Sequence, residues 1–476
     1  MGNKIIGNVL WRFFERIGAQ AIELLVTIFL ARILGPEAFG NVAIMTAIVA
    51  LLQVLVDGGL GSALIQKKDA DELDYSSVFY FNIIFCILLY AILFFIAPFI
   101  AAVYRNSSFT NWIRAVGLLV IISGIKNVQQ SIIAKRLEFK KFFFSTLIGT
   151  LSSAVVGIYL AIKGFGVWAL IAQLLVNALV DTIVVFCVLS WKPKKEFSLH
   201  RTRVLLDFGW KILLSNLVEV FFGNYVQLMI GKFYSAGDLA FYNRGRSIPN
   251  VVVSNINTSI DSVIFPVMSN EQDNREKIRS IAKKAIITST FIMAPLMMGI
   301  FFMSDLIVKV ILGESWMPSV FYIRVFCVVL LFQPIHTINI NVLKALGKGN
   351  SVLFIELVKK IIGIIILTIS MFYSMRTLAF TYMSYTFLNQ LINSYPNGKL
   401  INYSYIEQIK DIMPSVLLAI IVWVLVANIQ MFDDSIYILL ILKLDIGVAG
   451  YLVGTWLFNK KAYILMRTIF NDKRIK

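Results

Sequence analysis

Apolar blocks of roughly 20 residues recur along the whole chain, and that is the helix length needed to cross the hydrocarbon core of a bilayer. No water satisfies backbone amides there, so a chain with many such blocks must bond its backbone internally, as helices or as a closed barrel. The spans fall at about 13–34, 39–63, 78–103, 111–134, 143–163, 167–190, 208–231, 248–269, 282–304, 319–343, 352–373, 377–397, 411–430 and 435–458. The expected class is therefore an all-α membrane protein with about fourteen transmembrane helices. Of the 476 residues, 58% are hydrophobic and only 15% are charged, whereas soluble domains carry roughly a quarter. No connector is long enough for a separate soluble domain, and no cleavable leader is expected at the N-terminus.

The net charge is +17, from 44 Lys and Arg against 27 Asp and Glu. In a soluble chain that excess would suggest nucleic acid as a partner. Here the basic residues lie between apolar blocks, so their role is read as topogenic and no nucleic-acid partner is expected. If the N-terminus is cytoplasmic, Lys67-Lys68, Lys135-Arg136, Lys140-Lys141, the 192–203 and 275–284 runs and the C-terminal tail all fall on that side. Both termini are then inside, as an even number of spans requires. Cys86, Cys187 and Cys327 are scattered through apolar blocks and form neither a disulfide framework nor a metal site. Pro98, Pro266, Pro295, Pro334 and Pro414 lie in or at the ends of spans, as kinks in ordinary packing or as hinges.

An internal repeat appears at an offset of about 200. Leu30–Gly40, after the first span, aligns with Ile230–Ala240, after the seventh: a basic residue, a small-residue turn, an acid and an apolar-small pair. Six helices separate the copies, so the halves are expected to be parallel repeats about an axis along the membrane normal. The expected organisation is a six-helix lobe over 1–200, a second over 201–400, and a helix pair with a basic tail over 401–476. Two such lobes facing a central cavity suit an alternating-access transporter.

Ionisable groups inside spans are expensive and point to function. The first span carries Arg12, Glu15, Arg16, Gln20, Glu23 and Thr27 at steps of three or four. The seventh carries Lys211, Ser215, Glu219, Gly223 and Gln227 at a strict step of four, in matching phase. Arg12, Arg16 and Lys211 either snorkel to headgroups or line a cavity. Glu23 and Glu219 are structural partners of cations or ion-coupling residues. Lys126 and Asp181 pair or line the cavity, and Asp57 precedes a glycine-rich packing segment. Arg244 and Arg246 follow the second repeat turn as loop charges or phosphate receivers. His336, near Pro334, is a hydrogen bonder or a proton relay. Lys359 and Lys360 form the strongest basic pair of the second lobe. The candidates for a substrate cavity are thus Arg12, Arg16, Gln20, Lys126, Lys211, Gln227, Lys359 and Lys360, with Glu23 and Glu219 for ion coupling.

No enzyme constellation is present. His200 and His336 are the only histidines, which argues against a histidine metal site or triad. No G-x-x-x-x-G-K-[ST] run occurs, so ATP is not expected to drive the chain directly. No metal and no cofactor are expected.

Several stretches together resemble the Wzx-type polysaccharide exporters of the multidrug/oligosaccharidyl-lipid/polysaccharide (MOP) flippase superfamily. They are Phe29–Gly40, Asp57–Gln66, Ala134–Lys140, Gly164–Leu170, Trp191–Pro193, Asp207–Trp210 and Ala240–Arg244, within about residues 5–270. Tyr234-Ser235-Ala236 departs mildly from the small turn residues usual there. The resemblance implies a flippase in the bacterial inner membrane. It would move an undecaprenyl-diphosphate-linked oligosaccharide from the cytoplasmic to the outer leaflet for O-antigen, capsule or exopolysaccharide assembly. It further implies coupling to an ion gradient, with a role for Glu23 or Glu219. The implied partners are the lipid-linked substrate, membrane lipids, and the polysaccharide polymerase and chain-length proteins. Three rivals remain at this point: a peptidoglycan lipid flippase, a multidrug antiporter of the same superfamily, and a membrane-embedded sugar polymerase or ligase.

Overall fold

The computed structural model describes residues 2–57, 59–429 and 436–472. Among them the secondary structure is helical throughout, with no strand. The first helix, α1 (Gly2–Asp57), holds two expected spans. Gly35 breaks it with φ 71° and ψ 178°, and Pro36 opens the second half. A left-handed φ is nearly free for glycine and strained for other residues, and proline without an N–H fits a first turn.

A short α2 (Leu60–Gln66) leads to α3 (Glu72–Val103), which opens on a reciprocal cap. The Asp71 carboxylate accepts from the Asp74 N–H, and the Asp74 carboxylate from the Asp71 N–H. Then follow α4 (Phe109–Arg136), α5 (Phe139–Ile162), α6 (Val167–Val188) and α7 (Leu199–Phe233). The second half contains α8 (Ala236–Asn270), α9 (Arg275–Ile311), a single 3-10 turn at Glu314–Trp316, and α10 (Ser319–Leu331). After a break at Phe332 come α11 (Gln333–Ala345), α12 (Gly349–Met371), α13 (Met375–Leu400), α14 (Tyr405–Ala427), α15 (Ile436–Phe458) and α16 (Lys460–Asp472).

Eleven of these stretches are long and apolar enough to cross a membrane. One contains the Gly35 break and supplies two crossings. Two further helices complete the expected set: α12 carries three charged residues within its span, and α13 falls short in hydropathy. The reason lies in what they bury: α12 carries Glu356, Lys359 and Lys360, and α13 carries Gln390, Asn393 and Asn397.

The chain divides into two compact units, Met1–Ala240 and Phe241–Lys476. The unit boundary lies one helix beyond 200/201 because α7 packs on α1, α2 and α3. In the first unit, Leu60, Leu64, Val78, Ile132 and Trp191 form an apolar core at the end where α2, α3 and α4 meet. In the second, Met293, Met297, Trp423 and Tyr451 join α9 to α14 and α15. The Tyr451 hydroxyl donates to the Phe291 carbonyl at 3.1 Å. Below these apolar layers the second unit has an amide core. Asn339 Nδ2 donates to Gln408 Oε1 (2.8 Å), and Asn397 Nδ2 donates to Asn339 Oδ1 (2.7 Å). These bonds join α11, α13 and α14. Away from water, such groups must find partners in the protein.

Candidate functional site

The structure separates the sequence-derived candidates. The side chains of Arg12, Arg16 and Lys211 lie outside the described residues. Gln20 and Glu23 on α1 and Glu219 on α7 are exposed. Glu23 and Glu219 form no ion pair with a described residue. Gln227 donates from Nε2 to the Ala43 carbonyl, so it joins α7 to the second half of α1. Lys126 and Asp181 form a 2.6 Å ion pair between α4 and α6. Asp57 accepts from Asn127 Nδ2 at 2.9 Å. Lys359 is 3% exposed and pairs with Glu356 one turn back on α12. Lys360 is half-buried beside it. Lys126 and Lys359 thus have their charges matched within the protein. Lys359 and Lys360 lie in the second unit, and the other candidates lie in the first.

The clearest enclosed polar space in the second unit is a cavity of about 280 Å³ between α8, α10, α11 and α13. On α8 it is lined by Arg246, Asn250, Ser254 and Asn257, at steps of three and four that form one stripe. On α13 it is lined by Tyr382, Tyr385, Thr386, Asn389 and Gln390. Arg246 corrects the loop reading of the sequence. The Asp238 N–H donates to Ser235 Oγ (3.0 Å), and the Ser235 N–H and hydroxyl donate to the Asp238 carboxylate (3.2 and 2.7 Å). This cap starts α8 at Ala236, which places Arg244 and Arg246 inside the helix. Arg246 is exposed, and its side chain lines the cavity. No carboxylate among the described residues forms an ion pair with it.

The rest of the wall is neutral and polar. The Asn257 and Asn389 carbonyl oxygens are buried without a donor, so they are acceptors available to whatever enters. His336 lines the cavity, and its Nδ1 is bonded to the Asn393 amide, which fixes its ring. Tyr385 donates its hydroxyl to the Lys359 carbonyl at 2.6 Å, bracing α13 against α12. Tyr405 donates to Gln390 Oε1 at 3.2 Å, and Asn341 Nδ2 donates to the Asp261 carboxylate at 2.7 Å, tying α11 to α8. No Asp or Glu appears among the described residues that line the space. One guanidinium, several amides and two phenols suit an anionic, hydroxyl-rich guest. The helical step of three or four from Arg246 to Asn257 was visible in the sequence, but it crosses the expected start of the span at 248.

The chain matches the family model described as polysaccharide biosynthesis protein over residues 29–321. Its relatives include the succinoglycan biosynthesis transport protein ExoT of Rhizobium meliloti (strain 1021), 28% identical over 65% of this chain. That match spans 63% of the Rhizobium protein's own length. The teichuronic acid biosynthesis protein TuaB of Bacillus subtilis (strain 168) is 25% identical over 86% of each chain. The lipopolysaccharide biosynthesis protein WzxC of Escherichia coli (strain K12) is 25% identical over 70% of this chain and 68% of its own. Among solved structures, the lipid II flippase MurJ in an inward closed conformation superposes with a TM-score of 0.76, at 16% identity. The superposition covers 96% of this chain and 99% of that one. An inward-facing MATE family transporter of the MOP superfamily gives 0.61 at 17% identity, over 81% and 96%. These two likenesses establish the fold, an all-helical membrane bundle shared with those two structures. With more than half of its length matched by the family model, the chain belongs to the polysaccharide biosynthesis protein family.

Proposed function

We propose that this protein is a flippase for lipid-linked oligosaccharides, carrying an undecaprenyl-diphosphate-linked repeat unit from the cytoplasmic to the outer leaflet by alternating access. The observation that carries this reading is the cavity of the second unit: a guanidinium without a carboxylate partner among the described residues, set among amides and phenols, within helices of membrane length. A diphosphate cannot cross hydrocarbon bare, because an ion moved out of water loses several kcal/mol or more of hydration. Arg246 offsets part of that loss with charge-assisted hydrogen bonds. The amides of Asn250, Asn257, Asn389 and Gln390 exchange hydrogen bonds with sugar hydroxyls, while the hydrocarbon chain remains in lipid. The names of the succinoglycan, teichuronic acid and lipopolysaccharide relatives agree with a sugar-polymer cargo.

The reading places the protein in the bacterial inner membrane with both termini cytoplasmic, supplying a polymerase and chain-length proteins on the outer side. Glu23 and Glu219, exposed on two polar helices of the first unit, are the groups we assign to ion coupling. A multidrug cation antiporter would need a cavity carboxylate, and the described lining offers none. The test is deletion of the gene with analysis of lipid-linked sugars, followed by flipping in proteoliposomes. Undecaprenyl-diphosphate oligosaccharide should accumulate on the cytoplasmic side, and purified protein should restore its translocation. Accumulation of the peptidoglycan lipid intermediate instead, or unchanged surface polysaccharide with new sensitivity to cationic dyes, would overturn the reading.

A further inference from the structure

The repeat turns identified in the sequence have divided their labour. Asp238 in the second turn is engaged in capping α8. Its counterpart Glu37 in the first turn makes no ion pair or hydrogen bond with a described residue. Glu37 instead faces a second pocket, of about 390 Å³, at the end of the first unit where the α1 break, the α3–α4 turn and the α7–α8 turn meet. Gly40 makes this junction possible: a Cβ there would lie 1.7 Å from the Ala236 carbonyl oxygen.

The wall of this pocket is built for hydrogen bonding. Asn41 is 6% exposed, lines the pocket, and has no hydrogen-bond partner among the described residues. Its amide therefore opens to the pocket with its hydrogen bonds available to a guest. Arg105, from the opposite side, also makes no ion pair with a described residue, and Ser107 adds a hydroxyl. The aromatic side is rigid. Tyr104 stacks on Phe109 with ring centroids 5.6 Å apart and planes 6° apart, and donates its hydroxyl to the Leu228 carbonyl at 3.2 Å. A carboxylate that accepts, a guanidinium that donates and an amide that does both, set beside a fixed aromatic plane, match the hydroxyl pattern and flat C–H face of a pyranose.

We infer that the Glu37–Asn41–Arg105 pocket is a sugar-binding subsite. It would hold one pyranose of the cargo's glycan, remote in sequence from the Arg246 cavity. The inference rests on the flippase reading for the source of the sugar and on the pocket alone for its chemistry. Trp112, whose ring centroid lies 5.6 Å from that of Phe109, provides a reporter. Full-length protein in nanodiscs is titrated with methyl glycosides of glucose, galactose, N-acetylglucosamine and glucuronic acid. The signal is the tryptophan fluorescence lost on Trp112→Phe.

At least one glycoside should give a saturable change that Glu37→Gln and Asn41→Ala each weaken tenfold or more. Because Glu37 is exposed, Glu37→Gln remains informative should Asn41→Ala fail to fold. No saturable change with any glycoside, or one indifferent to Glu37→Gln, overturns the subsite. The two readings fail separately. Glycoside binding by a protein that does not flip lipid-linked oligosaccharide leaves the pocket standing and sinks the transport reading. Flipping without glycoside binding does the reverse.

Discussion

Arg246→Ala removes the one permanently charged side chain that the described residues place in the cavity wall. Two charges about 4 Å apart attract by about 1 kcal/mol in bulk water and about 4 kcal/mol at an effective dielectric of about 20. The guanidinium is exposed and lines the cavity, so its contact with a diphosphate falls between these limits, at about 2–3 kcal/mol. At about 1.4 kcal/mol per tenfold, transport should fall roughly 30- to 150-fold. Arg246→Lys retains the charge and loses the two-pronged donor geometry, so most of the activity should remain, within about tenfold of wild type. Arg246→Glu should abolish transport. Since no described carboxylate pairs with Arg246, thermal stability should change by no more than about 0.5 kcal/mol in the alanine variant. The assay is translocation of fluorescent lipid-linked oligosaccharide in proteoliposomes, read beside melting of the same preparations in detergent. Wild-type transport by Arg246→Ala or Arg246→Glu, at wild-type stability, would refute the assignment.

Lys126→Ala should act in the opposite way. It leaves Asp181 unpaired at 14% side-chain exposure, lowering stability by about 2–4 kcal/mol in detergent unfolding, and Lys126→Met with Asp181→Leu should recover most of that loss. Gly35→Ala should cost about 1–2 kcal/mol by the same measurement, because alanine must adopt the φ of 71° at the α1 break. Near the α2–α3 connection the Asp71 carboxyl is held below its usual range, first by the Asp74 backbone N–H and then by Arg201. A depressed carboxyl stabilises the fold above its unfolded value of 3.8 and loses that contribution as pH falls through the folded value. Limited proteolysis of the 67–74 segment should therefore accelerate below about pH 4 in wild type, and Asp71→Asn should cleave at a rate nearly independent of pH.

The number of crossings was legible because hydrocarbon imposes a length on each helix, and most apolar blocks carry it. The Gly35-Pro36 turn was equally plain, since one residue supplies the left-handed φ and the next begins a helix. Which cations remain available to a guest was not legible. Sequence left Lys126 and Asp181 open between pairing and lining a cavity, and three-dimensional proximity across 55 residues decides for the pair, while Lys359 is matched by Glu356 one turn back. Arg246 stayed open between a loop charge and a phosphate receiver for a different reason. The polar run from Asn243 to Arg246, with Pro249 behind it, reads as a connector. Only the Ser235–Asp238 cap shows that the helix has already begun two turns earlier. The amides of α13 carry no local signature, because an inward-turned asparagine and a lipid-facing serine both lower hydropathy.

The amide core joining α11, α13 and α14 bears on how the chain is made. α13 is too polar to count as an independent span, and α12 carries three charges in its own. Asn397 and Asn339 reach their remaining partner, Gln408, only when α14 arrives. Until then the nascent protein holds unmatched amides in the membrane, the feature by which quality-control proteases distinguish an unfinished product. A chain stopped before residue 404 should therefore be degraded, even though its cavity wall is complete. α14, well beyond the end of the family match, then serves as the step that makes α11 and α13 permanent.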